Sequence, residues 1–293
     1  MSKTETPNVE HPQLDAYSVD DLVTVFVEDQ GAAIAAVLAA RAEIASAVTA
    51  AIPRIEAGGR LIYVGAGTSG RLGLLDSVEL YPTFSWPKDR CIALLAGGRQ
   101  AVYEAVEGAE DSDEQGATDL REARAGPLDV VILLAASGTT PYVLGALRAA
   151  REAGALAIGI ANNPDAPVAR EAEIGITLDT GSELISGSTR LKAGTAQKVA
   201  LNAFSSALMV RLNKVYGNLM VDMRPTSAKL IRRAIALTVL ATGTDEETAR
   251  RTLERCEFQV KVAILVIAKT LDVAEARSRL AASKGNLRLA MAS

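Results

Sequence analysis

The chain has 293 residues, 49% of them apolar and 23% charged, with 31 basic side chains against 35 acidic ones and a net charge of −4. That balance and a pI near 5.3 exclude a protein held to nucleic acid by phosphate neutralisation. Two cysteines, Cys91 and Cys256, are too few for a disulfide framework or a cysteine-rich zinc site. The single histidine, His11, excludes chemistry that needs several imidazoles, so acid–base work falls to carboxylates, Lys or Tyr.

The length suits about two domains. Apolar stretches are short and broken by Gly, Pro or charge, and Met1–Glu5 has no basic segment leading into an apolar one. No membrane span, no signal peptide and a reduced, cytoplasmic setting are therefore expected.

Residues 1–19 read as a loop-rich arm. Helical composition follows from Val19 to about Gly58. Asp20-Asp21 open one segment, and an Ala-rich stretch from Ala32 to Ala51 forms another, punctuated by Pro53 and Gly58-Gly59. The period then changes. Compact apolar runs bounded by turn residues occur at Arg60–Gly65, Cys91–Ala96, Val130–Ala136, Leu156–Ala161 and Ile174–Leu178. Such runs suit strands buried on both faces. The segments between them have helical composition, including Pro141–Ala153 and a long one from Lys192 to Tyr216. The alternation predicts an α/β fold, a five-stranded parallel sheet flanked by helices. After Pro225 the pattern is helical throughout, with a capping box at Thr244–Glu247 and further helices near Phe258–Leu271 and Val273–Ser283. The expected division is 1–53 for the arm and first helices, 54–217 for the sheet domain and 218–293 for a small helical module.

Gly65-Ala-Gly67-Thr-Ser-Gly70 follows the first strand and opens a helix, which suggests a dinucleotide site. That site wants an acidic residue ending the second strand; here it ends Leu95-Ala96-Gly97-Gly98-Arg99. A Walker loop fails as well, because Arg71-Leu72 follows Gly70. What remains is a glycine turn with two hydroxyls, Thr68 and Ser69, at a helix N-terminus that favours an anion; a simple helix cap is the plainer alternative. The third strand runs into a second such turn, Ser137-Gly138-Thr139-Thr140-Pro141, and Ser186–Lys192 is a third Ser/Thr/Gly segment before the long helix. In an open parallel sheet these turns share the carboxyl-end crevice, and together they suit a phosphate monoester.

Gly65–Arg71, Ser137–Thr140 and the strand pattern resemble SIS (sugar isomerase) domains, which bind phosphosugars on a flavodoxin-like sheet. Longer blocks at 59–73, 106–111 (Val-Glu-Gly-Ala-Glu-Asp), 187–198 (Gly-Ser-Thr-Arg-Leu-Lys-Ala-Gly-Thr-Ala-Gln-Lys) and 216–222 (Tyr-Gly-Asn-Leu-Met-Val-Asp) resemble the N-acetylmuramic acid 6-phosphate etherase family. They also resemble the non-catalytic glucokinase regulatory protein, a longer chain with two such domains.

The resemblance implies a lyase that removes the D-lactyl ether of N-acetylmuramate 6-phosphate by elimination and water addition, in cell-wall sugar recycling, without cofactor or metal. It implies Glu79 as the acid on the lactate oxygen and Glu110 as the base at C2. Thr68, Ser69, Ser137, Thr139, Thr140, Thr189 and Arg190 would bind the phosphate and sugar. On a helix starting at Ser69, Glu79 lies ten residues along, roughly 15 Å from the loop. A homodimer with the site near its interface accommodates that distance. The alternatives are a phosphosugar aldose–ketose isomerase and a phosphosugar-sensing regulator. Two departures from the family pattern stand out: Leu80-Tyr81 after Glu79, where a smaller pair is expected, and Arg255-Cys256-Glu257-Phe258 in place of a glycine-containing turn.

Overall fold

The computed structural model describes residues 2–225 and 227–292. The chain divides into two compact units. One comprises Met1–Val78 and Lys88–Ser206, the other Glu79–Pro87 and Ala207–Ser293.

In the first unit the arm is more ordered than its composition suggests, with short 3-10 turns at Lys3–Glu5 and Leu14–Ala16. Helices α1 (Val19–Asp29), α2 (Gly31–Ala39) and α3 (Arg41–Glu56) follow. The Ala-rich stretch is thus two helices rather than one, and Pro53 lies inside α3 instead of ending it. A proline within a helix costs about 3 kcal/mol. Here the apolar face of Ile44, Ala47, Val48, Ala51 and Ile55 stays buried across it, and that burial offsets the lost hydrogen bond.

Next come β1 (Leu61–Gly65), α4 (Gly67–Phe84), β2 (Cys91–Leu95), α5 (Asp113–Glu122) and β3 (Val130–Leu134). After them run α6 (Pro141–Glu152), β4 (Leu156–Ala161), α7 (Pro167–Glu171), β5 (Ile174–Thr177) and α8 (Lys192–Arg211). The five strands match the five apolar runs to within a residue or two at each end. They form one sheet of order β2-β1-β3-β4-β5, every pairing parallel.

The strands carry apolar side chains on both faces because both faces are covered. Ile62, Val64, Val131 and Leu133 pack in one core with Leu120 of α5 and Tyr142, Val143, Ala146 and Leu147 of α6. On the other face the Tyr63 hydroxyl donates to Asp76 Oδ2 of α4 at 2.8 Å, and Ser205 of α8 donates to Asp76 Oδ1 at 3.2 Å. Burial pushes the Tyr63 phenol well above its ordinary value, and the Asp76 carboxylate adds to the shift.

The second unit is helical. It contains α9 (Ala228–Thr242), α10 (Glu246–Arg255), α11 (Val260–Lys269), α12 (Val273–Ala282) and α13 (Leu287–Ala292) around a core that includes Ile235, Leu253, Val262, Ile264 and Leu265. The α10 cap is Asp245, whose side chain accepts from the Thr248 amide at 2.8 Å. It lies one residue beyond the expected Thr244, because a carboxylate is there to take the amide. The turn between α10 and α11 places two successive non-glycine residues, Glu257 and Phe258, at φ of 53° and 56°.

Candidate functional site

Strand order reverses at β1: its crossover leads outward to β2, while the chain beyond β3 builds the sheet in the opposite direction. Loops leaving the carboxyl ends of β1 and β3 therefore part at this switch point, where open α/β sheets bind ligands. In the first loop Gly65 and Gly70 touch. A Cβ on Gly65 would lie 2.7 Å from the Gly70 Cα, and one on Gly70 2.4 Å from Leu95 Cδ1. Gly67 takes φ +52° and faces open space. Since α4 already begins at Gly67, Thr68 and Ser69 occupy its first turn and not its cap position. Neither hydroxyl has a partner among the described residues, which removes the plain capping account for both.

The loop after β3 is held by a second glycine. Gly138 has φ +75°, and a Cβ there would stand 2.2 Å from the Ala166 Cβ; its carbonyl accepts from the Val168 amide at 3.1 Å. Ser137 Oγ accepts from both the amide and the hydroxyl of Thr139, each at 3.2 Å. Thr140 precedes Pro141, the first residue of α6, and its side chain does not cap that helix.

The third segment joins the first through Gly194. The Gly194 amide donates to the Thr189 carbonyl at 2.9 Å, and a Cβ at Gly194 would lie 3.4 Å from Thr68 Cγ2, so the start of α8 adjoins both residues. Arg190 is exposed and has no ion-pair partner among the described residues. The start of α8 is capped from a distance. Glu183, fully buried, accepts from the Lys192 amide at 3.2 Å and the Ala193 amide at 3.0 Å. Burial raises the Glu183 pKa, while those two amides pull against the rise. Lys192 Nζ meets Asp29 Oδ1 of α1 at 2.6 Å, both side chains largely buried.

Glu79 lies on α4 and Glu110 in the 3-10 turn Ala109–Asp111; both are exposed. Neither carboxylate has a hydrogen-bond or ion-pair partner among the described residues. They fall in different units, Glu110 in the first and Glu79 in the second. The stretch leading to Glu110 is held by Arg71 of α4, which donates to the Ala101 carbonyl at 2.9 Å and the Glu104 carbonyl at 3.2 Å.

The model of the glucokinase regulatory protein N-terminal SIS domain matches residues 43–151, and that of the SIS domain matches 112–207. An N-acetylmuramic acid 6-phosphate etherase of Deinococcus radiodurans is 53% identical over 286 residues, covering 98% of this chain and 94% of that one. The etherase of that name from Salmonella agona is 49% identical over 288 residues, 98% of this chain and 97% of its own. This chain belongs to the N-acetylmuramic acid 6-phosphate etherase family. Among solved structures, a putative sugar-phosphate isomerase of Listeria monocytogenes is 21% identical and covers 57% of this chain and 78% of its own, with a TM-score of 0.43.

In this etherase-family chain the crevice contains residues that pattern reading does not pick out. Asn162 and Asn163 directly follow β4 and are buried. Asn162 Nδ2 donates to the Leu178 and Ala193 carbonyls at 3.1 and 3.3 Å, and Gln197 Nε2 donates to Asn162 Oδ1 at 2.9 Å. The available signal was two amides directly after an apolar strand, where a buried polar side chain must have partners. Glu183 caps from nine residues upstream, outside the spacing of a local capping box.

Proposed function

We propose that this chain cleaves the D-lactyl ether of N-acetylmuramic acid 6-phosphate, giving N-acetylglucosamine 6-phosphate and D-lactate. One observation carries the reading: among the described residues the hydroxyls of Thr68 and Ser69 in the first turn of α4 and of Thr140 before α6 have no partner at the β1/β3 switch point, and neither do the carboxylates of Glu79 and Glu110. Thr68, Ser69, Ser137, Thr139 and Thr140 would take the phosphate at the openings of α4 and α6, with Thr189 and Arg190 completing the pocket. Residues 54–217 would form the phosphosugar-binding domain, with 1–53 and 218–293 as its flanking parts.

The chemistry suits two carboxylates. In the open-chain sugar the C2 proton is acidified by the C1 aldehyde. Glu110 removes it, the C3–O bond breaks, and Glu79 protonates the departing lactate oxygen. Water then adds across the C2–C3 double bond, its hydroxyl going to C3 and a proton returning to C2. The two groups act as base and acid in turn, and the scheme calls on neither metal nor cofactor. An isomerase reading would draw on histidine for ring opening, but His11 is engaged with the Tyr17 hydroxyl at 3.0 Å in the arm.

A homodimer fits the same scheme. Val19, Val23 and Val27 of α1 and Ile34 and Leu38 of α2 are each more than half exposed. The α1 residues repeat at the four-residue interval of a helix stripe, and a patch of this kind marks an interface. A second copy of this chain would cover it. Residues Val19–Ala39 also have the length and apolar composition of a membrane span, but the buried Asp29–Lys192 pair ties α1 to α8, and we assign the segment to assembly in the cytoplasm.

The test is incubation with N-acetylmuramic acid 6-phosphate while following D-lactate. Release of lactate that is abolished in Glu79→Gln and Glu110→Gln is the expected result. Release that survives both substitutions would falsify the roles given to them.

A further inference from the structure

Thr4 is fully buried although it stands near the chain terminus, where segments are ordered only if tied down. Its ties are specific. The Thr4 amide donates to Asn163 Oδ1 at 3.2 Å, and Asn163 Nδ2 donates back to Thr4 Oγ1 at 3.0 Å. Asn163 Nδ2 also donates to the Ala136 carbonyl at 2.9 Å, and Ala136 is the residue before Ser137. On its other side the Thr4 carbonyl accepts from the Gly187 amide at 3.1 Å, and the Glu5 carbonyl accepts from Ser186 Oγ at 2.8 Å. Gly187 has φ +75°, and a Cβ there would stand 2.8 Å from Glu5 Oε2, so the loop runs close beside the arm. Two residues further on is Thr189.

The turn Lys3–Glu5 thus grips both the loop that carries Ser137, Thr139 and Thr140 and the loop that carries Thr189 and Arg190. We infer that Thr4 is a positioning residue that sets the separation of these two loops, and so the affinity of the pocket for a phosphorylated sugar. The inference rests on the phosphate-pocket reading above. Thr4 touches no ligand in this account; it acts through Asn163 and Gly187. Removing its hydroxyl strands one buried N–H of Asn163, and an unmatched buried donor is expensive enough to move the loop it serves.

The experiment uses the full-length protein and N-acetylglucosamine 6-phosphate as the probe, titrated by calorimetry. Thr4→Val, which keeps the side-chain shape, is expected to weaken binding about tenfold, in line with the loss of a buried hydrogen bond. Thr4→Ser should stay within about twofold of the wild type, because it restores the acceptor. Amide hydrogen exchange over 137–140 and 187–190 should quicken together in Thr4→Val. Ser186→Ala, which cuts only the bond to the Glu5 carbonyl, is the second variant should Thr4→Val fail to fold, with weakening of about threefold expected.

A lower melting temperature with unchanged probe affinity describes a merely structural anchor and overturns the inference. Thr68→Ala and Ser137→Ala separate the pocket itself from the role of Thr4. If both leave affinity unchanged, the phosphate-pocket reading fails and takes the role of Thr4 with it. If they weaken binding and Thr4→Val does not, the role of Thr4 fails alone.

Discussion

Gly65 and Gly70 meet with no room for a side chain on either: a Cβ on Gly70 would come within 2.6 Å of the Gly65 carbonyl oxygen. This contact brings the start of α4 down onto the end of β1 and so sets where Thr68 and Ser69 stand. Gly70→Ala must push the helix off the strand. We expect it to lose about 1–3 kcal/mol of stability and to weaken binding of N-acetylglucosamine 6-phosphate at temperatures where it remains folded. Urea unfolding and calorimetry check the two effects separately.

Glu79 and Glu110 should fail in different ways from the hydroxyl loops. Each Glu→Gln change removes the proton-transfer group proposed at that position while keeping the side chain's size, so turnover should fall about 10²- to 10⁴-fold with product affinity nearly unchanged. Ser137→Ala should do the reverse, raising KM about tenfold through one lost charge-assisted hydrogen bond with a smaller change in kcat. Steady-state kinetics on N-acetylmuramic acid 6-phosphate distinguish the patterns; a mutant of either class behaving like the other would reassign it.

In the helical unit, Lys261 Nζ donates to the Asn213 carbonyl at 2.7 Å and to Asp222 Oδ2 at 2.9 Å, and Lys214 Nζ lies 2.9 Å from that same oxygen. Burial lowers the Lys261 pKa, and Asp222 pulls against the shift. Asp222→Asn leaves two ammonium groups around a neutral amide. A destabilisation of about 3 kcal/mol is expected, the lower end for a broken buried pair because Asp222 is partly solvated. Chemical denaturation monitored within this unit measures it.

Cys91 provides a pH signature. Burial, assisted by the Asp76 charge, pushes its thiol from 9.0 up to about 12. An acid group raised on folding stays protonated in the native state after it has ionised in the unfolded chain. Its contribution is therefore intact below pH 9 and is lost as pH climbs from 9 toward 12. Wild type should lose more stability than Cys91→Ala between pH 8.5 and about 10.5, read from urea midpoints at each pH. Parallel loss in the two proteins would show that the thiol does not report on folding.

Glu257→Gly should stabilise the second unit slightly, because the exposed Arg277 ion pair it also removes contributes little. The Glu257 φ of 53° holds a side chain in the left-handed region at about 1 kcal/mol, which glycine avoids. A rise in melting temperature is the expected result.

The strands and the hydroxyl turns could be read from the sequence because each is announced locally. An apolar run such as Val130–Leu134 is buried on both faces whatever lies elsewhere, and Ser137 follows it at a strand end that can only face the crevice. Thr4 and Glu183 carry no such announcement, and the two amides after β4 announce only that they need partners, not which. The Thr4–Asn163 pair joins residues 159 apart, and only the folded sheet brings them together. Pro53 misled for the opposite reason: a local breaker signal is correct for an isolated helix but is overruled where Ile55 beyond it is buried. The carboxylates sit between these cases, since Glu79 and Glu110 look like ordinary surface residues by burial and are singled out only by the blocks around them.

The ion pair between Asp29 and Lys192 links two tasks that would otherwise be separate. Helix α1 offers valines to its surroundings along one side and, at its last residue, grips the beginning of the helix that seats Thr189. Whatever steadies α1 from outside also steadies that grip. With the proposed second copy covering α1, specific activity should decline on dilution, and Val23→Glu should mimic dilution at any concentration.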